Sequence, residues 1–336
     1  PENRGYADNG ILEFKEAVAA FMEREFRVVL DPTKEINHCI GSKTAYAMLP
    51  AAFINPGDVT LMTVPGYPVA GTATQWFGGD VYKLPLIPEN NFFPDLDGIP
   101  ADILARSKIL VLCYPNSPTG QTATEDFYKK VVAFAKKNRI IVIQDAAHMM
   151  LSYETEPLSF LSIEGAKDVG VEVHSMSKGF HMIGWRLGWV CGHEKIVQAF
   201  ADVKDNCDSG QFIAIQKAAA AALADPTIPN QVREKYRRRL EKLVGVLRSV
   251  GFECEMPGGT YFLYTKSPKS AGELTFSNAS EAGQFLIKEL SISTVPWDDC
   301  GAFTRFSVTY EAHDEAAEDE LMAELHSRLS QAQLTF

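Results

Sequence analysis

Two rhythms of apolar residues alternate along this chain. Ile11, Phe14, Val18, Phe21 and Met22 recur at intervals of three and four, the spacing of one helix face, and predict an amphipathic helix over Gly10–Phe26. A second apolar helix is predicted over Thr44–Ile54, ending at the turn-forming Asn55-Pro56-Gly57-Asp58. Short apolar runs follow at Val59–Val64, Val81–Leu84, Ile109–Cys113, Ile140–Ile143, Val171–Val173 and Leu187–Cys191, with helical stretches such as Glu125–Lys137 between several of them. Strands alternating with helices predict an α/β fold on a mainly parallel sheet covered on both faces, with a site built from loops at the carboxyl ends of the strands.

Past Asp225-Pro226 the pattern changes to a long charged helix (Val232–Val250), a strand (Thr260–Thr265), a helix (Glu281–Leu290), a strand (Arg305–Tyr310) and a closing helix from Ala316. This predicts a second, smaller α+β domain. The expected division is an N-terminal segment over 1–12, a large domain over 13–224 and a small domain over 225–336, in keeping with a length beyond that of one domain. The chain opens on Pro1 with no initiator Met and runs into loop-like Asn3-Arg4-Gly5-Tyr6, so a further N-terminal segment is expected in the full protein.

Composition narrows the partners. An apolar fraction of 46% and a charged fraction of 22% suit an ordinary globular protein with a large core. A net charge of -11 argues against nucleic acid, which needs clustered Lys and Arg, and the basic run Arg233–Lys242 reads as a solvated helix face. The six cysteines (Cys39, Cys113, Cys191, Cys207, Cys254, Cys300) form no CxxC pair and predict reduced thiols, with no metal site. Neither a signal peptide nor an uninterrupted apolar stretch of about 18 residues stands in the chain, so no membrane partner is expected and the cytoplasm is the default location.

Candidate chemistry gathers where predicted strands end. Lys178, in Ser175-Met176-Ser177-Lys178, follows the apolar Val169–Val173 and precedes Gly184-Trp185-Arg186-Leu187-Gly188. An amine at the mouth of a buried strand, beside small hydroxyls and an arginine, suits a lysine that must lose its proton to attack a carbonyl as a Schiff-base former; alone, the tetrapeptide also reads as a surface turn. Asp145 ends the run Ile140–Gln144. It has no second carboxylate nearby for a metal and is better employed opposite a protonated ring nitrogen than as a helix cap. Tyr114-Pro115-Asn116-Ser117-Pro118-Thr119-Gly120 is a rigid turn that would fix the Asn116 amide toward a ring oxygen, and Thr63–Pro68 presents Tyr67 as a platform for a planar cofactor.

Gly41-Ser42-Lys43-Thr44 opens the second helix, where free amides, the helix dipole, a hydroxyl and an ammonium face an anion, or merely cap the helix. Its likeness to a nucleotide P-loop is superficial, because Glu35 and Ile36 stand where that motif begins with glycine. A smaller phosphate is the preferred ligand, with Ser175, Ser177 and Arg186 converging on it. Arg305 interrupts the largely apolar Ala302–Val308; it lies at a sheet edge or in a salt bridge, or its fork grips a substrate carboxylate.

The ordered set Gly-Ser-Lys, Pro-Gly-Tyr-Pro, Pro-Asn-x-Pro-Thr-Gly, Asp-x-x-His, Ser-x-Ser-Lys, Gly-Trp-Arg-x-Gly and then Arg305 resembles the fold-type I, class I/II aminotransferases that depend on pyridoxal 5'-phosphate, from about Tyr6 to the C-terminus. The resemblance implies a seven-stranded, mainly parallel sheet sandwiched by helices, with a smaller α+β C-terminal domain. It implies that Lys178 carries the cofactor and shuttles a proton, that Asp145 holds the pyridinium, Asn116 the ring oxygen and Tyr67 the ring face, and that Ser42, Lys43, Ser175, Ser177 and Arg186 hold the phosphate. Arg305, with Asn116 beside it, would bind the substrate α-carboxylate, and Tyr6 would reach the phosphate of a neighbouring subunit in a homodimer. One departure is His148, where the family usually has tyrosine; imidazole also donates but titrates near neutrality, so an altered pH profile is expected.

Within that class, Ile40–Lys43, Met48–Asp58, Val64–Val69 and Asp208–Phe212 are similar to the branch acting on LL-diaminopimelate, which implies amino transfer from glutamate to tetrahydrodipicolinate for lysine and peptidoglycan synthesis. Alanine, aspartate or aromatic specificity, or a C–S β-lyase using the same lysine and aspartate, are the alternatives on this scaffold. A non-catalytic sensor of the cofactor or of an amino acid is opposed by the intact Lys178, Asp145 and Arg305.

Overall fold

The computed structural model describes residues 4–154 and 156–336, so Pro1, Glu2 and Asn3 of the expected N-terminal segment lie outside the described residues. In chain order the main elements are α1 (Leu12–Phe26), β1 (Ile36–Cys39), α2 (Ser42–Phe53), β2 (Val59–Val64), α3 (Val69–Trp76), β3 (Asp80–Pro85), α4 (Ala101–Arg106), β4 (Ser107–Cys113), α5 (Glu125–Asn138), β5 (Ile141–Asp145), β6 (Gly170–Ser175), β7 (Gly188–Gly192), α6 (Glu194–Lys204) and α7 (Ile213–Ala224). There follow α8 (Thr227–Ser249), β8 (Phe262–Lys266), β9 (Ser270–Ala271), β10 (Leu274–Thr275), α9 (Ala279–Leu290), β11 (Val295–Trp297), β12 (Phe303–Ser307), α10 (Glu315–Gln331) and β13 (Leu334–Thr335).

The large sheet has seven strands in the order β1-β7-β6-β5-β4-β2-β3. From β6 to β3 neighbouring strands are parallel, and the inner strands β2, β4 and β5 are buried almost throughout because helices cover both faces. One face packs on α1, α5 and α7 through residues such as Phe14, Phe21, Tyr128 and Trp189; the other packs on α2 and α6 through Tyr46, Leu49 and Phe200. β7 runs antiparallel to both β6 and β1, with Ser175 opposite Gly188 and Gly188 opposite Cys39. The register therefore places the end of β6, the start of β7 and the end of β1 at one corner of the sheet, on the same edge as the carboxyl ends of β2, β4 and β5.

The second apolar centre lies among α8, α9, α10 and the antiparallel sheet β11-β12-β8. Sequence periodicity missed β1, whose middle residues are Asn37 and His38, and missed α3, α6 and α7. The strand read over Arg305–Tyr310 is Phe303–Ser307, and the helix read from Val232 begins at Thr227.

The basic run on α8 is not the solvated face that its composition suggested. Arg239 and Glu318 are almost fully buried, and Arg239 joins Glu318 of α10 at 2.6 Å and the carbonyls of Val308 and Tyr310 at 3.2 and 2.6 Å. Arg238 and Lys242 also donate to Glu318. Burial acts to raise the Glu318 pKa, but the hydrogen bonds from Arg238, Arg239 and Lys242 overcome it and hold the carboxyl at about 2. A carboxyl depressed on folding adds stability above its ordinary range, and that contribution is lost as pH falls toward 2. Glu318→Gln is expected to cost about 3 kcal/mol or more, because it leaves Arg239 buried without its counter-charge. Urea unfolding at pH 7 and pH 3 checks this: the difference between the two proteins should be large at pH 7 and narrow at pH 3.

Candidate active site

A cavity of about 270 Å³ opens at the shared edge of the large sheet and is lined by Ser42, Lys43, Tyr67, Asp145, His148, Ser175, Ser177, Lys178, Arg186 and Arg305 together with Cys113, Ser117, Ala147, Ile183 and Phe262. Parallel strands place successive loops on one edge, so residues far apart in sequence meet there. Asn116 lies fully buried between the lining residues Cys113 and Ser117. Tyr6 does not join them; it is 85% exposed, and no hydrogen bond ties its side chain to this cavity. A larger hollow of about 700 Å³ beside β8 and Phe276 contains none of these groups.

Lys178 is half-buried, and its ammonium lies 5.4 Å from the ring centre of Tyr261. Burial lowers its pKa and Asp145 opposes that shift, while Arg186 and Arg305 lower it further. The amine is therefore easier to deprotonate than a surface lysine. Asp145 is buried at the end of β5 and accepts the Ala147 amide at 2.9 Å. Burial raises its pKa against that hydrogen bond and the nearby Lys178, as befits a carboxylate short of an adjacent cation.

His148 corrects an expectation. Burial, with Lys178 and Arg305 nearby, pushes its pKa down to about 3, so the imidazole stays neutral instead of titrating near pH 7. Its edge meets Tyr261 at a centroid distance of 5.3 Å, and Nδ1 has no partner. Arg305 resolves the alternatives for its strand. It sits on the central strand of β11-β12-β8, its Nε has no partner, and its guanidinium carbon stacks 3.9 Å from the ring centre of Phe262. Burial lowers its pKa. An arginine held in this way carries free donors for a planar anion.

The opposite corner gathers free donors. Helix α2 has no side-chain cap, and Gly41 at its head has φ of 72°. A Cβ there would run into Nη2 of Arg186, so glycine lets the guanidinium lie against the head of the helix. Arg186 also donates to Ser177 Oγ at 3.3 Å and to the Ile183 carbonyl at 3.0 Å. Asn116 Oδ1 accepts the amide and hydroxyl of Thr119 at 3.1 and 2.8 Å, which leaves Nδ2 as a buried donor with no partner.

Sequence reasoning passed over several neighbours. Tyr46 packs edge-on to Tyr67 at 6.2 Å, while Tyr261 and Phe262 lie beneath Lys178 and Arg305. The stretch Pro257-Gly258-Gly259-Thr260-Tyr261 was the available signal, since Thr260 has φ of 69° just before β8, whose Phe262 lines the cavity. His181 bonds Tyr236 of α8 at 2.9 Å and ties the lysine loop to that helix. Among the described residues, Glu172, His174 and Cys191 are spaced as metal ligands. The Glu172 oxygens are already engaged by Ser159, the Phe160 amide and His174.

A family model described as aminotransferase class I and II matches residues 1–325. A Methanocaldococcus jannaschii relative named LL-diaminopimelate aminotransferase is 55% identical over 100% of this chain and 82% of its own length. A Methanococcus maripaludis relative of the same name is 52% identical over 99% of this chain and 82% of its own. The substrate-bound structure of BacF from Bacillus subtilis superposes with a TM-score of 0.93 at 32% identity, covering 100% of this chain and 84% of that one.

The lowered pKa of Lys178 carries a test. At pH 7 to 8, a soluble aldehyde followed by borohydride reduction should label Lys178 ahead of the surface lysines, as read by peptide mass mapping. Even labelling across the lysines would count against it.

Proposed function

This chain belongs to the class I and II aminotransferases, and from that premise we propose that it moves an amino group from glutamate to tetrahydrodipicolinate, forming LL-diaminopimelate. It is a pyridoxal 5'-phosphate-dependent transaminase. The choice of substrate is carried by the 55% identity over the whole chain to a relative named for that reaction.

The cavity fits the cofactor on observations of its own residues. Asn116 Nδ2 is an orphaned buried donor, Asp145 is a buried carboxylate short of a cation, and the head of α2 is uncapped beneath Arg186. Ser42, Lys43, Ser175, Ser177 and Arg186 would hold the phosphate, Tyr67 the ring face, and Asn116 and His148 the ring oxygen. When bound, pyridoxal 5'-phosphate supplies a carbonyl for an amine and an electron-withdrawing ring.

Asp145, ionised, would hold the proton on the ring nitrogen, and the pair would lower the cost of burying either charge. Arg305 grips the α-carboxylate of the substrate with parallel hydrogen bonds and so fixes the direction of the Cα–H bond. Lys178 as a neutral amine would take the proton from the substrate's Cα and hold it for return; acid-base catalysis of this kind contributes about 10²- to 10⁴-fold. Phe262 and Tyr261 close the side away from solvent.

Tyr6 supports a homodimer in this reading. It is 85% exposed and stands outside its own cavity, free to reach the phosphate of a second copy. Division near residue 225, between α7 and α8, lets the region bearing Arg305 move relative to the sheet. A cytoplasmic location suits six free cysteines, and none of the helices described is long and apolar enough to cross a membrane.

Two outcomes are expected. Amino transfer from LL-diaminopimelate to 2-oxoglutarate should exceed transfer from alanine, aspartate or phenylalanine, with parallel double-reciprocal lines because one product leaves before the second substrate enters; intersecting lines, or preference for another donor, would overturn the reading. His148→Phe removes a donor from the ring oxygen and leaves that oxygen more basic. The pH at which the bound cofactor changes colour should therefore rise, and a spectrophotometric titration identical to that of the wild type would remove His148 from the site.

A further inference from the structure

Arg186 does not hold its position by its own side chain alone. Its backbone is left-handed, with φ of 54°, a conformation that costs an L-residue energy and persists only where neighbours enforce it. The neighbour is Gln211, on the loop before α7. Its Nε2 donates to the carbonyl of Trp185 at 2.8 Å and to that of Arg186 at 2.7 Å, clamping both peptide units of the turn. Gln211 is fixed in turn, because its carbonyl accepts Gln216 Nε2 at 2.8 Å and Gln216 Oε1 accepts the Ile11 amide at 2.9 Å. Gln216 is fully buried. On the other side, Asp208 receives the Gly210 amide at 2.8 Å and the buried ammonium of Lys204, so the turn that delivers Gln211 is also pinned.

We propose that Gln211 is a positioning residue for anion binding: its amide holds the Trp185–Arg186 turn so that the Arg186 guanidinium waits over the head of α2. The proposal rests on the reading of Arg186 as a phosphate ligand. Gln211 is not among the residues lining the cavity, so its effect is transmitted through the backbone of Arg186. A clamp on that turn governs the phosphate end of a ligand and leaves the ring end, held by Asp145 and Asn116, unaffected. That separation distinguishes positioning from general support of the fold.

The experiment compares pyridoxal 5'-phosphate with pyridoxal, which lacks the phosphate. Apoprotein is prepared from the holoenzyme of the wild type, Gln211→Ala and Gln211→Glu. Dissociation constants for both compounds come from quenching of tryptophan fluorescence, and that for inorganic phosphate from competition; thermal unfolding reports on the fold. Gln211→Ala is expected to weaken pyridoxal 5'-phosphate and inorganic phosphate by about tenfold or more, the effect of two ordinary hydrogen bonds, with pyridoxal affinity and melting temperature unchanged. Gln211→Glu, which turns a carboxylate toward two carbonyls, should lose more, and it serves as the test if the alanine variant does not fold. Equal weakening of pyridoxal and its phosphate, or no change in either, overturns the proposal. A wild-type protein that binds neither compound would overturn the reading of the cavity as a cofactor site, and this inference with it.

Discussion

Lys43, Lys178, Arg186 and Arg305 share one cavity with a single carboxylate, Asp145, and this charge imbalance is the constraint on which the rest of the structure depends. Lys43 and Arg186 remain exposed, whereas Lys178 and Arg305 are drawn partly out of water and lose hydration, and the cost appears as lowered pKa values at these two, driven first by burial. A chain free to relax would splay these side chains into solvent. It is prevented from doing so because each is anchored to an element whose own packing is settled elsewhere. Lys178 follows a fully buried strand, Arg186 precedes another, and Arg305 stands on the middle strand of its sheet.

The register of three strands does most of this work. Gly188 faces Ser175 on one side and Cys39 on the other, so β-ladders bring together the head of α2 and the loop that carries Ser177 and Arg186. A Cβ on Gly188 would approach the His174 carbonyl to 2.4 Å and the Ser42 amide to 3.2 Å, which explains why glycine separates Arg186-Leu187 from the strand that follows. On the far side of the cavity, the Arg239–Glu318 network anchors α8 and α10 to the chain leaving β12, and so fixes the strand that bears Arg305. A network of that kind is a weak source of net stability but a strict one, since removing either partner strands the other charge.

The parallel strands were legible in the sequence because each is dominated by apolar or β-branched residues, and Asp145, Asn116 and Lys178 because they stand at or just after the ends of such runs. Where burial and polarity part company the reading failed. β1 carries Asn37 and His38 fully inside the protein, so no apolar pattern marks it, and Arg239 looks solvated on α8 while lying buried against Tyr310. α7 is so rich in alanine that it shows little contrast between its faces. His148 shows a different limit: its residue type suggests a switch near neutrality, and only its surroundings, the rings of Tyr261 and Phe262 and the charges of Lys178 and Arg305, decide that it stays neutral. Pairings such as that of Arg305 with Phe262 join positions whose sequence separation carries no signal.

The pattern of unmet charge narrows what can fill the cavity. Free phosphate would satisfy Arg186 and the head of α2 but leave Asp145 buried without a cation. A simple cationic amine would satisfy Asp145 and add to the repulsion among Lys178, Arg186 and Arg305. A nucleoside triphosphate would satisfy the cations of the cavity but brings no positive charge for Asp145. What relieves both ends at once is a ligand with an anion at one end and a protonated nitrogen at the other, joined by a flat body that Tyr67 can cover and with an acceptor for Asn116 Nδ2. Because such a ligand binds the folded chain and not the unfolded one, it stabilises the fold by an amount that grows with its concentration relative to its dissociation constant.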